Sequence, residues 1–128
     1  MSEAVQYLDL EDLIQLATGL LGDPPPVRDV GLLGSAAARP ETTVFGEDAY
    51  PELWTKAAAL LQSILKCHAL VDGNKRLGWL GTATFLEING IGVTHVPNHA
   101  VYDFVIAVAA GHADVGEIAV GLRRLATG

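Results

Sequence analysis

A chain of 128 residues, half of them hydrophobic and 18 % charged, can bury one real core and is too apolar for disorder. Its formal net charge of −7 repels nucleic acid except at a local basic patch, which argues against wholesale DNA or RNA binding. No apolar stretch approaches the ~20 residues that span a bilayer, and the opening Met1-Ser2-Glu3-Ala4 lacks the basic start of a signal peptide. With a lone thiol at Cys67, the expectation is one domain, residues 1–128, in a reducing cytoplasm, with no direct nucleic acid and no membrane partner.

In chain order, Asp9 can cap a first helix with Asp12 in its first turn. Leu10, Leu13, Ile14, Leu16, Ala17, Leu20 and Leu21 give that helix a broad apolar stripe, and Gly22 with Pro24-Pro25-Pro26 ends it. The proline run reads as a stiff loop or as a ligand for an aromatic-lined groove. Leu32 to Arg39 reads as a short alanine-rich helix stopped by Pro40. Glu41 to Gly46 is β-prone but too short for a sheet of its own, so it reads as an exposed flap or as a loop pinned by Val44 and Phe45.

A long helix is expected from Pro51, with Pro in its first turn and Leu53, Ala57, Leu60, Leu61, Ile64 and Leu65 as its buried stripe. His68 continues that spacing and is expected to point inward at the helix end. Asp72-Gly73-Asn74 breaks the pattern. Helical spacing resumes from Lys75 to Asn89, where Gly78 and Gly81, each costing about 1 kcal/mol against Ala, imply close packing. A further helix starts at Pro97 or Asn98 and runs to Gly111. Asp114 and Glu117 resemble a capping box for a last helix ending near Thr127. The fold class expected is all-α with one short extended segment.

Most of the polar chemistry of the middle of the chain lies in His68-Ala69-Leu70-Val71-Asp72-Gly73-Asn74-Lys75-Arg76. Physically it is a histidine at a helix end, a tight turn, and a fresh helix N-terminus with free N–H groups and a positive dipole end. Gly73 permits close approach of a ligand, and Lys75 and Arg76 add two cations, which together suit phosphate. Asp72 beside phosphates is unfavourable unless a cation intervenes, and Mg²⁺ would resolve that conflict. A histidine can accept a hydroxyl proton near neutral pH. The plainer reading stays open at this point: a capped core histidine followed by an ordinary turn.

The segment resembles the core motif of the Fic/Doc family, His-x-Phe-x-Asp/Glu-Gly/Ala-Asn-Gly/Lys-Arg, with His68, Asp72, Gly73, Asn74, Lys75 and Arg76 in register and Leu70 in place of Phe. The stretches Tyr7 to Leu13, Arg28-Asp29, Gly31 to Leu33, Ala38 to Pro40 and Val44 to Pro51 also resemble the Doc branch, so the likeness extends over nearly the whole chain. The resemblance implies a Fic/Doc helical bundle with His68 as general base, Asp72 as Mg²⁺ ligand, and Gly73, Asn74, Lys75 and Arg76 on the phosphates of ATP. It also implies that Thr42, Thr43, Val44 and Phe45 form a flap that docks a target by strand addition.

Fic adenylyltransferases carry Gly where Lys75 stands and a second Arg where Trp79 stands. This chain's departures from that pattern resemble Doc toxins instead, which implies phosphate transfer to a threonine of a translation factor such as elongation factor Tu. The alternatives are AMP transfer and a degenerate, non-catalytic Fic-fold binding module. The inhibitory motif of some Fic proteins, Ser/Thr-x-x-x-Glu-Gly/Asn, finds no match, since Glu87 follows Ala83 by four and precedes Ile88. Control in trans by a Phd-type antitoxin is the implied arrangement.

Three other features carry less. Cys67 beside His68 reads as a buried structural cysteine, because helix neighbours point about 100° apart, rather than as half of a nucleophilic pair. His95 and His99 have a metal-like spacing, but Pro97 interrupts it, so they read as surface or loop histidines. Tyr102 and Phe104 read as packing residues, and Arg123 and Arg124 as dipole partners at a helix end.

Overall fold

A computed structural model describes residues 4–128. Residues 1–3, which carry most of the N-terminal stretch used above to argue against a signal peptide, lie outside the described residues. Six α-helices are present among the described residues: α1 Leu10–Leu21, α2 Val30–Ala38, α3 Leu53–Cys67, α4 Asn74–Ile88, α5 Asn98–Ala110 and α6 Val115–Thr127. A 3₁₀ turn, Arg39–Glu41, and a two-stranded antiparallel hairpin, β1 Thr43–Val44 with β2 Glu47–Asp48, join α2 to α3. The fold is all-α with a small β-hairpin. No helix among the described residues is long and apolar enough to cross a membrane.

Helix α3 is the axis of the molecule. Lys56, Ala57, Ala58, Ala59, Leu60, Leu61, Ile64 and Leu65 are all buried, so it is covered on more than one face. Helices α2, α4, α5 and α6 and the 3₁₀ turn pack around it. One apolar cluster joins Leu60 and Ile64 to Leu13, Leu33, Leu77 and Phe85. A second joins Leu61 and Leu65 to Val105, Val108 and Ile118. The glycines of α4 pack closely, as expected: a Cβ at Gly78 would stand 3.1 Å from Leu65 Cδ2, and one at Gly81 3.3 Å from Ile64 Cδ1. The caps at Asp9 and Asp114 form as read, each carboxylate accepting from the N–H three residues on, Asp12 at 2.8 Å and Glu117 at 2.9 Å.

Several expectations are corrected. Helix α2 starts at Val30, two residues early, because Asp29 caps it by accepting from Leu32 N–H at 3.0 Å. Pro40 does not end the chain's helical path but sits inside the 3₁₀ turn, whose first positions need no intrahelical N–H. Pro51 lies outside α3, which is capped at Glu52. The extended segment does find a partner. Phe45 at φ 53° and Gly46 at φ 81° form a two-residue turn that folds Glu47–Asp48 back on Thr43–Val44. Neither Val44 nor Phe45 pins it to the core, since Phe45 is fully exposed. Tyr102 is exposed, whereas Phe104 packs as expected, within 2.9 Å of a Cβ built on Gly121.

Candidate active site

The site is built where α3 stops. The helix ends at Cys67, and His68 caps it in the left-handed region at φ 49°. That turn swings the side chain off the buried stripe, so His68 is exposed and does not point inward. Extrapolating the stripe failed because the helical period ended one residue earlier. Ala69 and Leu70 dive into the core, and Leu70, which stands where the motif has Phe, is fully buried there.

The proline loop holds this segment from outside. Arg28 and Asp29 N–H donate to Ala69 O at 2.7 and 3.1 Å, Val71 N–H donates to Pro26 O at 2.8 Å, and Val27 bridges Leu70. The Arg28 guanidinium also donates to the His68 carbonyl at 2.6 Å. The stiff Pro24–Pro26 loop therefore braces the motif.

Gly73 then caps α4 at φ 86°, a left-handed value that disfavours any Cβ. A Cβ there would also lie 2.7 Å from Leu21, so α1 packs directly under the turn. No side chain caps α4, and its first intrahelical bond is Leu77 N–H to Gly73 O. The N–H groups of Asn74, Lys75 and Arg76 thus have no helical acceptor and form the positive end of the dipole. The side chain of Asn74 faces the turn instead: it accepts from Leu70 N–H at 3.1 Å and donates to Leu70 O at 3.0 Å. Its backbone N–H stays free for a ligand.

His68, Asp72, Gly73, Asn74, Lys75 and Arg76 line one open cavity of about 540 Å³, with Lys66 at its edge and Ile106, Ala109 and Ala110 of α5 as the facing wall. Asp72 is the carboxylate of this cavity. It is almost wholly exposed and stands 3.8 Å from the Arg76 guanidinium. A neighbouring apolar cavity of about 610 Å³ shares Lys75, Arg76 and Ile106 and continues to Trp79, Val101 and Tyr102. Phosphates on the helix terminus would therefore have a cationic rim beside an aromatic, apolar recess.

The hairpin residues are placed elsewhere. Thr42, Thr43, Val44 and Phe45 are exposed, and none lines the cavity of His68. Thr42 precedes β1 and is tied back, its hydroxyl donating to Arg39 O at 2.7 Å. Cys67 is half-buried, donates to Ile64 O at 3.8 Å, and borders a separate cavity with Thr42 and Arg39. His68 and Cys67 face different spaces, which removes the thiol–imidazole pair. His95 is spent on the Ala126 carbonyl at 2.7 Å, and no cluster of three metal-ligating side chains exists among the described residues.

Sequence reasoning missed four contributors. Lys66 adds a third cation and Arg28 braces the histidine; the wall from α5 and the Trp79–Tyr102 recess come from tertiary packing. Only Lys66 had a local signal, a basic residue in the last turn of a helix.

A family model described as "Fic/DOC family" matches residues 7–86, which hold α1 to most of α4 together with the hairpin and the motif. The chain is 57 % identical over 86 residues to "Toxin Doc" of Mycolicibacterium smegmatis, a match spanning 67 % of this chain and 66 % of that relative. It is 28 % identical over 124 residues to "Protein kinase doc" of Escherichia phage P1, spanning 94 % of this chain and 96 % of the relative.

Proposed function

The chain belongs to the Fic/DOC family, on its Doc side, and from that premise we propose that it is a Doc-type toxin moving the γ-phosphate of ATP to a hydroxyl on a translation factor. One juxtaposition carries the reading. An exposed histidine and an uncapped helix N-terminus with two adjacent cations share the wall of one cavity. The relative named as a kinase aligns over 94 % of this chain and supports phosphate as the group transferred. All of residues 1–128 is read as one Fic/Doc domain, since α5 and α6, beyond the family match, pack on α3, and α5 walls the cavity.

In this reading the γ- and β-phosphates rest on the N–H groups of Asn74, Lys75 and Arg76, with the side chains of Lys75 and Arg76 spreading their charge. The recess of Trp79 and Tyr102 takes the apolar remainder of the nucleotide. His68 accepts the proton of the incoming hydroxyl as its oxygen bonds the γ-phosphorus and ADP departs.

Asp72 fits Mg²⁺ bound mainly through phosphates and water, because one exposed carboxylate can join such a shell but cannot build a protein cage. Mg²⁺ would supply neutralisation of phosphate charge. The flap Thr42 to Phe45 presents β1 as an unpaired edge to an extended target segment. A threonine of elongation factor Tu is the proposed target. The partner that restrains the toxin is a Phd-type antitoxin, whose tail would set an acidic group against Lys75 and Arg76. The reducing cytoplasm, with its single free cysteine, is the proposed compartment.

The test is to incubate the protein with translation factors and ATP labelled separately at the α- and γ-positions. Transfer of γ-label with release of ADP is expected. Transfer of α-label with release of pyrophosphate would establish adenylyl transfer instead. Failure to bind Mg²⁺–ATP at all would make the chain a binding module.

A further inference from the structure

Among the described residues, Lys56 is the lysine or arginine whose side chain is buried, at 1 % exposure, and it lies one turn into α3. Burying an ammonium is unfavourable unless it is paired. Its Nζ donates to Asp48 Oδ2 at 3.1 Å and stands 5.6 Å from the centre of the Tyr7 ring. Tyr7 in turn stacks on the fully buried Phe85. Burial alone lowers the pKa of this amine, but the contacts with Tyr7 and Asp48 outweigh it, so the pKa is raised and the charge is kept.

Asp48 belongs to β2 and pairs with Thr43 of β1, so this contact grips the hairpin at its base. The other flank is gripped by a second cation. Arg39 donates to Tyr50 Oη at 3.1 Å, to Gln62 Oε1 at 2.7 Å and to Ser63 Oγ at 2.9 Å, the last two on α3. The hairpin buries none of its own residues from Thr43 to Asp48, so apolar packing does not orient it. Its orientation is left to these polar ties and to the short connections at each end. Both ties root in α3, the helix that carries His68 at its end.

We infer that Lys56 is a positioning residue whose buried ammonium, held by Asp48, fixes the hairpin relative to His68, so that a target strand laid on β1 presents its hydroxyl in register. The inference rests on the proposed role of the hairpin in docking, but its physical core can be tested without transfer.

The experiment measures amide hydrogen exchange across residues 43–49 of the intact chain in wild type, Lys56→Met, Asp48→Asn and the double variant, with circular dichroism checking the fold. Met fills the volume without the charge. Asp48→Asn alters a half-exposed side chain and keeps an oxygen acceptor for the ammonium, giving a second variant should Lys56→Met lose the fold. Each single variant should speed hairpin exchange by about tenfold, with the double variant no faster than Lys56→Met. Unchanged hairpin exchange in folded variants overturns the inference.

In the transfer assay, the KM for the protein target should rise about tenfold with kcat and ATP affinity held. Loss of kcat or of ATP affinity instead, with hairpin exchange unchanged, would mean the lysine serves the core alone and also overturns it. If the wild type transfers nothing, the functional reading fails, while exchange still decides whether Lys56 holds the hairpin.

Discussion

The amide of Asn74 is joined to the backbone of Leu70 twice, accepting from its N–H at 3.1 Å and donating to its carbonyl at 3.0 Å. The five residues from Leu70 to Asn74 are thereby closed into a ring that sets where α4 begins. The side chain shapes the helix terminus proposed to hold phosphate. Asn74→Ala removes two partly buried hydrogen bonds, each worth ~0.5–1.5 kcal/mol, so a loss of roughly 1–3 kcal/mol is expected in urea unfolding. Asn74→Asp keeps the acceptor and loses the donor, and should fall between. Wild-type stability in Asn74→Ala would refute the ring.

Gly73 carries two constraints at once, a left-handed backbone and the side chain of Leu21 at 2.7 Å from any Cβ. Gly73→Ala should cost about 1–2 kcal/mol through the backbone alone. The double variant Leu21→Ala, Gly73→Ala separates the two terms, since Leu21→Ala opens the space but leaves φ as it is. If adding Gly73→Ala to Leu21→Ala costs nothing, the conformational argument is wrong and contact alone governs the position.

His68 is a non-glycine residue in the same left-handed region, exposed, with its carbonyl held by Arg28. Such strain in a surface residue suggests that the side chain, not the fold, demands it. His68→Gly should raise stability by about 1 kcal/mol while lowering transfer by about 10²–10⁴-fold, the usual contribution of a general base. Retained transfer in folded His68→Gly would remove the base from the proposed chemistry. His68→Ala should lose transfer equally without the gain in stability.

The helices were largely legible in the sequence because their stripes and caps are local: Asp9 with Asp12, and Asp114 with Glu117, need only three residues to declare themselves. The turn chemistry of Asp72-Gly73-Asn74 was legible for the same reason. What sequence could not show depends on non-local packing. His68 follows the apolar spacing of α3, yet the helix ends before it, and the proline loop that braces the end comes from forty residues upstream. The hairpin was half-hidden because its turn uses Phe45 where Asn, Asp or Gly would announce positive φ. Lys56 is a charge that precedes an alanine run, with no local sign that it is buried, and only its partners Tyr7 and Asp48 explain its burial. The recess of Trp79 and Tyr102 exists because α5 crosses beside α4, which no local pattern encodes.

Lys56 also gives the chain an alkaline signature. Burial opposes its charge, but Tyr7 and Asp48 raise its pKa above the unfolded value near 10.5. The folded state therefore binds this proton more tightly, and the stabilisation is complete below about pH 10.5, fading as pH rises through the folded pKa. Urea midpoints at pH 8, about 10 and 11 should show Lys56→Met closing part of its gap to the parent at the highest pH. A gap that widens with pH would reverse the sign and contradict a raised pKa.

Phe45 is fully exposed at the tip of the hairpin with φ 53°, a conformation that costs an aromatic residue more than asparagine. An exposed phenyl group in a strained turn has no folding rationale here, since it touches no core cluster. Asn-Gly is the sequence that such a two-residue turn favours. Phe45→Asn should therefore leave stability unchanged or raise it by about 0.5–1 kcal/mol, the scale of a relieved backbone conformation. If the tip contacts the target, the same change should raise the KM for the protein substrate and leave ATP binding untouched. Isothermal titration with Mg²⁺–ATP and transfer kinetics measure the two effects separately. Equal KM in Phe45→Asn and wild type would withdraw Phe45 from the docking surface and leave the edge of β1 as the sole element offered to the target.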